Sequence, residues 1–74
     1  MKLIEGYKDR FYVIDKIEGD LFLKNKLKRM SLEVGSVVQI ISKYPRCPFL
    51  VEVNHNRIAF SQSLAKKIEV IPYV

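Results

Sequence analysis

The stretch FYVIDKIEGDLFLKNKLKRM, residues 11–30, contains a strand signal, a turn and a helix signal in direct succession. Residues 11–17 are rich in β-branched and aromatic side chains, which is typical of a strand, and Gly19 interrupts that pattern. Asp20 suits the N-cap of a helix, because its carboxylate can accept a hydrogen bond from a free N–H of the next turn. We therefore predict a strand over residues 11–17 and a helix over residues 21–29.

The predicted helix has one apolar stripe and a basic surface. Leu23, Leu27 and Met30 are spaced i, i+4 and i+7, so they share a face that we expect to meet the core. The helical repeat places Lys24 and Lys28 on the opposite side, with Lys26 and Arg29 flanking the stripe. Leu21 falls with the lysines rather than with the stripe. It is either a partner contact or an ordinary exposed leucine.

Four more strands are predicted after the helix, joined by short turns. Residues 36–42, 49–53, 57–60 and 68–71 have strand composition. They are separated by a loop with two prolines at residues 44–48, a tight turn at 54–56 and one helical turn at 61–66. Five short strands in a mostly antiparallel meander predict a small barrel, since closing the sheet hides its edges.

Length and composition limit the classes that fit. The chain has 74 residues, 49% hydrophobic and 28% charged, which predicts a single domain over residues 1–74 with a small core. There is no apolar run long enough to span a membrane and no signal-peptide layout at the start. The single cysteine, Cys47, excludes an internal disulfide. We therefore expect a cytoplasmic protein without direct membrane insertion.

Charge is distributed unevenly along the chain. The net charge is +5; residues 1–20 contribute −1, from four basic and five acidic side chains, and residues 21–74 contribute +6, from nine and three. The densest basic cluster has no acidic residue within it and comprises Lys24, Lys26, Lys28 and Arg29. Such a cluster suits an anionic partner, which can be nucleic acid, a membrane surface or an acidic protein face. The alternative is a solvated helix face.

Residues suited to catalysis or cofactor binding are sparse. Cys47 and His55 are the only cysteine and histidine, and they fall in the proline loop and in a hairpin turn. No Cys-x-x-Cys, His-x-x-x-His, acid-rich loop or phosphate-binding glycine loop is present. We expect no enzyme activity, no cofactor and no self-contained metal site, with a site shared between molecules as the alternative for Cys47 and His55.

Binding is then the function that the residues favour. The segment at residues 44–49 combines aromatic rings with a guanidinium, the side chains that dominate interface energetics. Packing in or beside the core is the alternative for Tyr44, and the more favoured one for Phe49. The candidate partner-binding residues are Leu21, Lys24, Lys28, Arg29, Tyr44 and Arg46.

The order and spacing of several motifs resemble the FeoA family, small cytosolic proteins of bacterial ferrous iron uptake. In the first half these motifs are Ile17-Glu18-Gly19, Leu23, Lys26-Leu27, Met30-Ser31-Leu32 and Val34-Gly35. In the second half they are Pro45, Pro48, Ile58-Ala59-Phe60, Leu64-Ala65 and Ile68-Glu69-Val70. The resemblance covers residues 11–71.

This resemblance implies an SH3-like five-stranded barrel, mainly β, with one helix between strands 1 and 2 and a short helical turn before the last strand. It also implies a non-enzymatic cytosolic adaptor that binds the GTPase-bearing cytosolic part of the membrane transporter FeoB and modulates transport. FeoA-like domains also form the C-terminal regulatory module of iron-dependent repressors. The chain departs from the family at Ser31, where glycine is usual, at Arg29, where an acid is common, and in a proline loop one residue shorter.

Two other functions remain open from the sequence. A small barrel that binds nucleic acid fits the isoelectric point of about 9.5. We regard it as the lesser alternative, because Tyr44 is the one aromatic residue placed near the charge and single-strand binders stack several bases. The other alternative is self-association as a homodimer, with Phe60 or Tyr73 at the contact.

Overall fold

The computed structural model describes residues 1–74 as a five-stranded sheet with two helices. The elements in chain order are β1 Phe11–Ile17, α1 Leu21–Lys28, β2 Val37–Ser42, β3 Phe49–Val53, β4 Asn56–Phe60, α2 Gln62–Ala65 and β5 Ile68–Pro72, preceded by a single 3₁₀ turn at Leu3–Glu5. This confirms the predicted mainly β fold, with one helix between the first two strands and a short helix before the last.

All strand pairs in the sheet are antiparallel, in the spatial order β4-β3-β2-β1-β5. Register shifts occur in two of the pairs, between Ile14 and Lys16 of β1 and between Ile40 and Ser42 of β2. Shifts of this kind bend a strand and increase its twist. The sheet is compatible with the predicted small SH3-like barrel, but it is not closed: β4 and β5 are not hydrogen-bonded to each other and form its two edges.

One cluster of fifteen buried apolar residues lies against the inner face of the sheet, with contributions from the strands, both helices and the N-terminal segment. Phe49 and Phe60 stack at its centre, with ring centroids 5.7 Å apart. Phe49 is therefore a core residue, the more favoured of its two interpretations. Leu27 of α1 is fully buried, and Leu23 and Met30 pack partly buried against the same cluster, so the predicted apolar stripe is confirmed.

Both ends of α1 are fixed by local hydrogen bonds. The N–H of Leu23 donates to the Asp20 carboxylate over 2.9 Å, which confirms the predicted N-cap. The helix ends at Lys28, one residue earlier than predicted. The N–H of Leu32 then donates to the carbonyl of Leu27 over 3.0 Å, while Ser31 adopts a left-handed conformation with φ of 65°. This arrangement is a Schellman-type ending, in which glycine is the usual left-handed residue.

The first ten residues, for which the sequence predicted no element, close one side of the sheet. The N–H of Val70 in β5 donates to the carbonyl of Met1 over 2.7 Å. From the end of β2, the Lys43 ammonium donates to the carbonyls of Ile4 and Gly6 over 2.9 and 2.5 Å. The N-terminal segment therefore covers the outer edge of β5.

We predict that Ser31→Gly stabilises the protein by about 1 kcal/mol, because glycine adopts a positive φ without the clash that a Cβ introduces. The free energy of unfolding, measured in guanidinium chloride, tests this. Ser36→Gly is the matched control, since Ser36 does not have a positive φ, and we expect it to lower stability or leave it unchanged. Equal effects of the two substitutions would contradict the assignment of strain to Ser31.

Candidate docking surface

The solvent face of α1 joins two apolar side chains to a set of basic ones. Leu21 and Phe22, in the first turn, are 72% and 80% exposed. The remaining solvent-facing side chains include four exposed cations, Lys24, Lys26, Lys28 and Arg29. We call this set, residues 21, 22, 24, 26, 28 and 29, the α1 face. Its apolar part lies at the N-terminal end of the helix and its charge extends towards the C-terminal end.

None of the cations of the α1 face has an acidic partner within the protein. The two ion pairs of the structure are elsewhere: the amino group of Met1 with Glu69, and Arg57 with Glu52. There is also no acidic residue within α1. The positive field of the α1 face is therefore not neutralised by ion pairs within the fold.

Phe22 is the residue of this face that sequence reasoning missed. The helical repeat predicts which sides of the helix the apolar stripe and the lysines occupy, but the side occupied by Phe22 was not predicted. Its helical spacing contains the signal, because Phe22 is four residues before Lys26 and seven before Arg29, and all three are exposed. An apolar residue in register with two exposed cations belongs to the solvent face.

A groove with a volume of about 390 Å³ runs beside α1 and separates it from the end of β1 and from the chain after the helix. Lys24 and Lys28 line this groove, together with Asp15 and Glu33. The two lysines are exposed, as predicted. Charges of both signs in the groove suit a polar partner segment.

Tyr44 and Arg46 belong to a second surface. They lie in a turn with Pro45 at its second position, closed by a 3.2 Å hydrogen bond from the N–H of Cys47 to the carbonyl of Tyr44. The Tyr44 ring is 61% exposed and lies 6.0 Å from the ammonium of Lys8. No hydrogen bond, ion pair or groove joins this turn to α1, so the six candidate residues form two separate surfaces.

The structure assembles no group that suggests bond-making chemistry. Cys47 is exposed in its turn, and His55 is exposed at the β3–β4 turn; neither side chain has a hydrogen-bond partner. No three His, Cys, Asp or Glu side chains come together as metal ligands. Neither helix has the length and hydrophobicity needed to cross a bilayer. The exposed residues present basic and apolar side chains to the solvent.

Comparison with known proteins identifies the family. The model of the FeoA domain family matches residues 1–72. The fold is similar to the crystal structure of the iron uptake regulatory protein FeoA, at TM-score 0.87 and 24% identity over 97% of this chain and 95% of the other.

Two further solved structures share the fold. Iron(II) transport protein A from Clostridium thermocellum has a TM-score of 0.88 and 25% identity, over 97% of this chain and 45% of that one. The crystal structure of ScaR with bound Zn²⁺ has a TM-score of 0.87 and 22% identity, over 99% of this chain and 37% of that one. No curated protein matches the chain.

We predict that Phe22→Ser changes the free energy of unfolding by less than about 0.5 kcal/mol, because an exposed side chain contributes little to folding. Leu27→Ala, one turn along the same helix, is expected to cost about 2–5 kcal/mol through loss of buried contacts. Chemical denaturation of the two variants measures both values. A large loss of stability in Phe22→Ser would show that Phe22 serves the fold rather than a partner.

Proposed function

The chain belongs to the FeoA domain family, and from this premise we propose that it is a non-enzymatic accessory protein of ferrous iron uptake that binds the cytosolic, GTPase-bearing part of the FeoB transporter. The family supports a role in iron uptake, and the names of two similar structures, an iron uptake regulatory protein and an iron(II) transport protein, agree with it. Ferrous iron is the cargo of the transporter in this proposal rather than a resident cofactor of the chain.

The observation that carries this proposal is the composition of the α1 face. Its cations lack acidic partners, so they are free to attract an acidic surface and to raise the rate of encounter. Leu21 and Phe22 then supply affinity, since full burial of one such side chain contributes about 1.5–3 kcal/mol. The partner surface that fits is acidic, with an apolar recess for the first turn of α1.

Modulation of transport follows from binding alone. A protein that binds one conformation of a transporter more tightly than another shifts the population toward that conformation, by the difference between the two binding free energies. No reacting group is needed for this effect. The α1 face is suited to it because α1 is fixed at both ends, by Asp20 and by the hydrogen bond from Leu32 to Leu27.

Tyr44 and Arg46 are proposed as a second contact with the same transporter. Both side chains are exposed, and the turn that carries them is held by Gln62, whose side-chain amide donates to the carbonyls of Tyr44 and Cys47 over 3.0 and 3.1 Å. A braced turn loses little conformational entropy on binding. Because the turn is separate from α1, it would contact a different part of the partner.

Nucleic acid is the alternative partner for the α1 face. Tyr44 lies beside Lys8 instead of α1, and Phe22 is the one aromatic ring on the helix. Single-strand binders stack successive bases on several rings, so the α1 face favours a protein partner. A salt titration separates the two, since phosphate binding weakens steeply with added salt.

We predict that Lys24→Glu with Lys28→Glu weakens binding to the isolated cytosolic domain of the transporter by about tenfold or more. The loss should lie mainly in the association rate and shrink at high salt, because the lysines act through long-range attraction. Surface plasmon resonance at two salt concentrations measures both effects, and circular dichroism checks that the fold is retained.

Lys66→Glu with Lys67→Glu is the matched control, because these exposed lysines follow α2 and give the same change of net charge. We expect this control to bind nearly as tightly as the unaltered protein. Equal losses in both double variants would mean that net charge alone governs binding. Unchanged binding of the Lys24 and Lys28 variant would remove the α1 face from the proposal.

A further inference from the structure

The two edges of the sheet differ in how they are protected. The outer edge of β5 is covered by the N-terminal segment, through hydrogen bonds between Met1 and Val70 in both directions. Pro72, at the end of the same strand, has no backbone N–H and so cannot donate a hydrogen bond to an added strand. On the other side of the sheet, β4 pairs only with β3. β4 is therefore the edge that remains open to another strand.

The turn before β4 determines which backbone groups are open. Asn54 and His55 both have positive φ, 51° and 66°, and form a two-residue type I′ hairpin turn. Val53 and Asn56 are thus a hydrogen-bonded pair, and alternation along the strand directs the N–H and C=O groups of Arg57 and Ala59 away from β3. No hydrogen bond in the structure satisfies these groups.

A shallow cavity of about 580 Å³, open to solvent, lies at the end of this open edge. Its walls come from the turn at residues 46–48 and from the end of β4 with the start of α2, residues 59–63. Ala59, the small residue of the open edge, leaves the cavity accessible from β4. A side chain of an added strand can therefore enter the cavity while its backbone pairs with Ala59.

Arg46 lines this cavity. Its backbone has a left-handed conformation that is unfavourable for a residue other than glycine. Its φ is 63°, at the position of a type II turn that glycine or asparagine usually occupies. The guanidinium has no acidic partner, and its turn is braced by Gln62. Strained backbone that is held by its surroundings is typical of ligand-binding sites.

We propose that the β4 edge binds an extended, acidic peptide segment of a partner protein as a sixth strand. The segment pairs with the free N–H and C=O groups of Arg57 and Ala59, places one side chain in the cavity and presents a carboxylate to Arg46. This is the strand-addition mode of peptide recognition. The proposal does not involve the α1 face, and it assigns Arg46 of the second contact proposed above to the carboxylate of the added strand.

Charge favours an acidic peptide over a second copy of the chain at this edge. The nearby cations are Arg46 and Arg57, and the one nearby carboxylate, Glu52, already faces Arg57 at 3.5 Å. Pairing two β4 edges would bring both sets of arginines together on chains that each carry +5, which is repulsive. An acidic strand instead brings carboxylates close to Arg46 and Arg57.

The test uses two synthetic peptides, acetyl-Thr-Val-Glu-Val-Glu-Val-Thr-amide and its counterpart with lysine in place of glutamate. Each is titrated into the ¹⁵N-labelled protein and followed by amide chemical shifts and hydrogen exchange. We expect the acidic peptide to bind about tenfold or more tightly than the basic one. It should shift the amides of Arg57 and Ala59 and slow their exchange.

Two variants test the site directly. Ala59→Pro removes the free N–H without breaking a bond to β3, and should abolish binding, whereas Ala59→Gly keeps both the N–H and the access to the cavity and should bind. Arg46→Gly should lose most of the affinity while its melting temperature stays equal or rises, because glycine relieves the positive φ. This second variant keeps the test valid if Ala59→Pro fails to fold.

Three results would overturn the proposal. They are equal binding of the two peptides, undiminished binding to a folded Ala59→Pro variant, or shifts confined to α1. Protection of the Arg57 and Ala59 amides that rises with protein concentration, without peptide, would assign the edge to a second copy instead. The double variant of Lys24 and Lys28 should still bind the acidic peptide, so failure of this site is distinguishable from failure of the proposed function.

Discussion

Burial of fifteen apolar side chains between one bent sheet, its two helices and the N-terminal segment determines how every other part of the protein is arranged. No acidic or basic side chain is buried among them, so all the Asp, Glu, Lys, Arg and His side chains lie at or near the surface. A chain of 74 residues leaves little interior beyond this cluster. The charged side chains are consequently at least partly exposed to the solvent.

The same constraint explains how α1 serves both the fold and the surface. Leu27 is its one fully buried side chain, with Leu23 and Met30 packed at the margin of the core. The N-cap at Asp20 and the left-handed ending at Ser31 fix the helix without using its outer residues. The outer residues, including Leu21 and Phe22, do not pack into the core.

Local chemistry made much of the fold predictable from the sequence. The boundaries of β1, the cap at Asp20 and the turn at Asn54 depend on neighbouring residues, and all agree with the structure. The open sheet, the cover that the N-terminal segment provides for β5 and the separation of Tyr44 from α1 depend on tertiary contacts. No local pattern contains that information. Phe22 was missed for a different reason, since its helical spacing did contain the signal.

The measurement that tests the central claim most directly is a map of amide chemical shifts in the labelled protein on addition of the unlabelled cytosolic domain of the transporter. We expect the largest chemical-shift changes on residues 21–29 and no change in the β3–β4 turn around His55. Absence of any change at saturating concentration would contradict the proposed partner. Changes that leave α1 untouched would contradict the assignment of the α1 face as its docking surface.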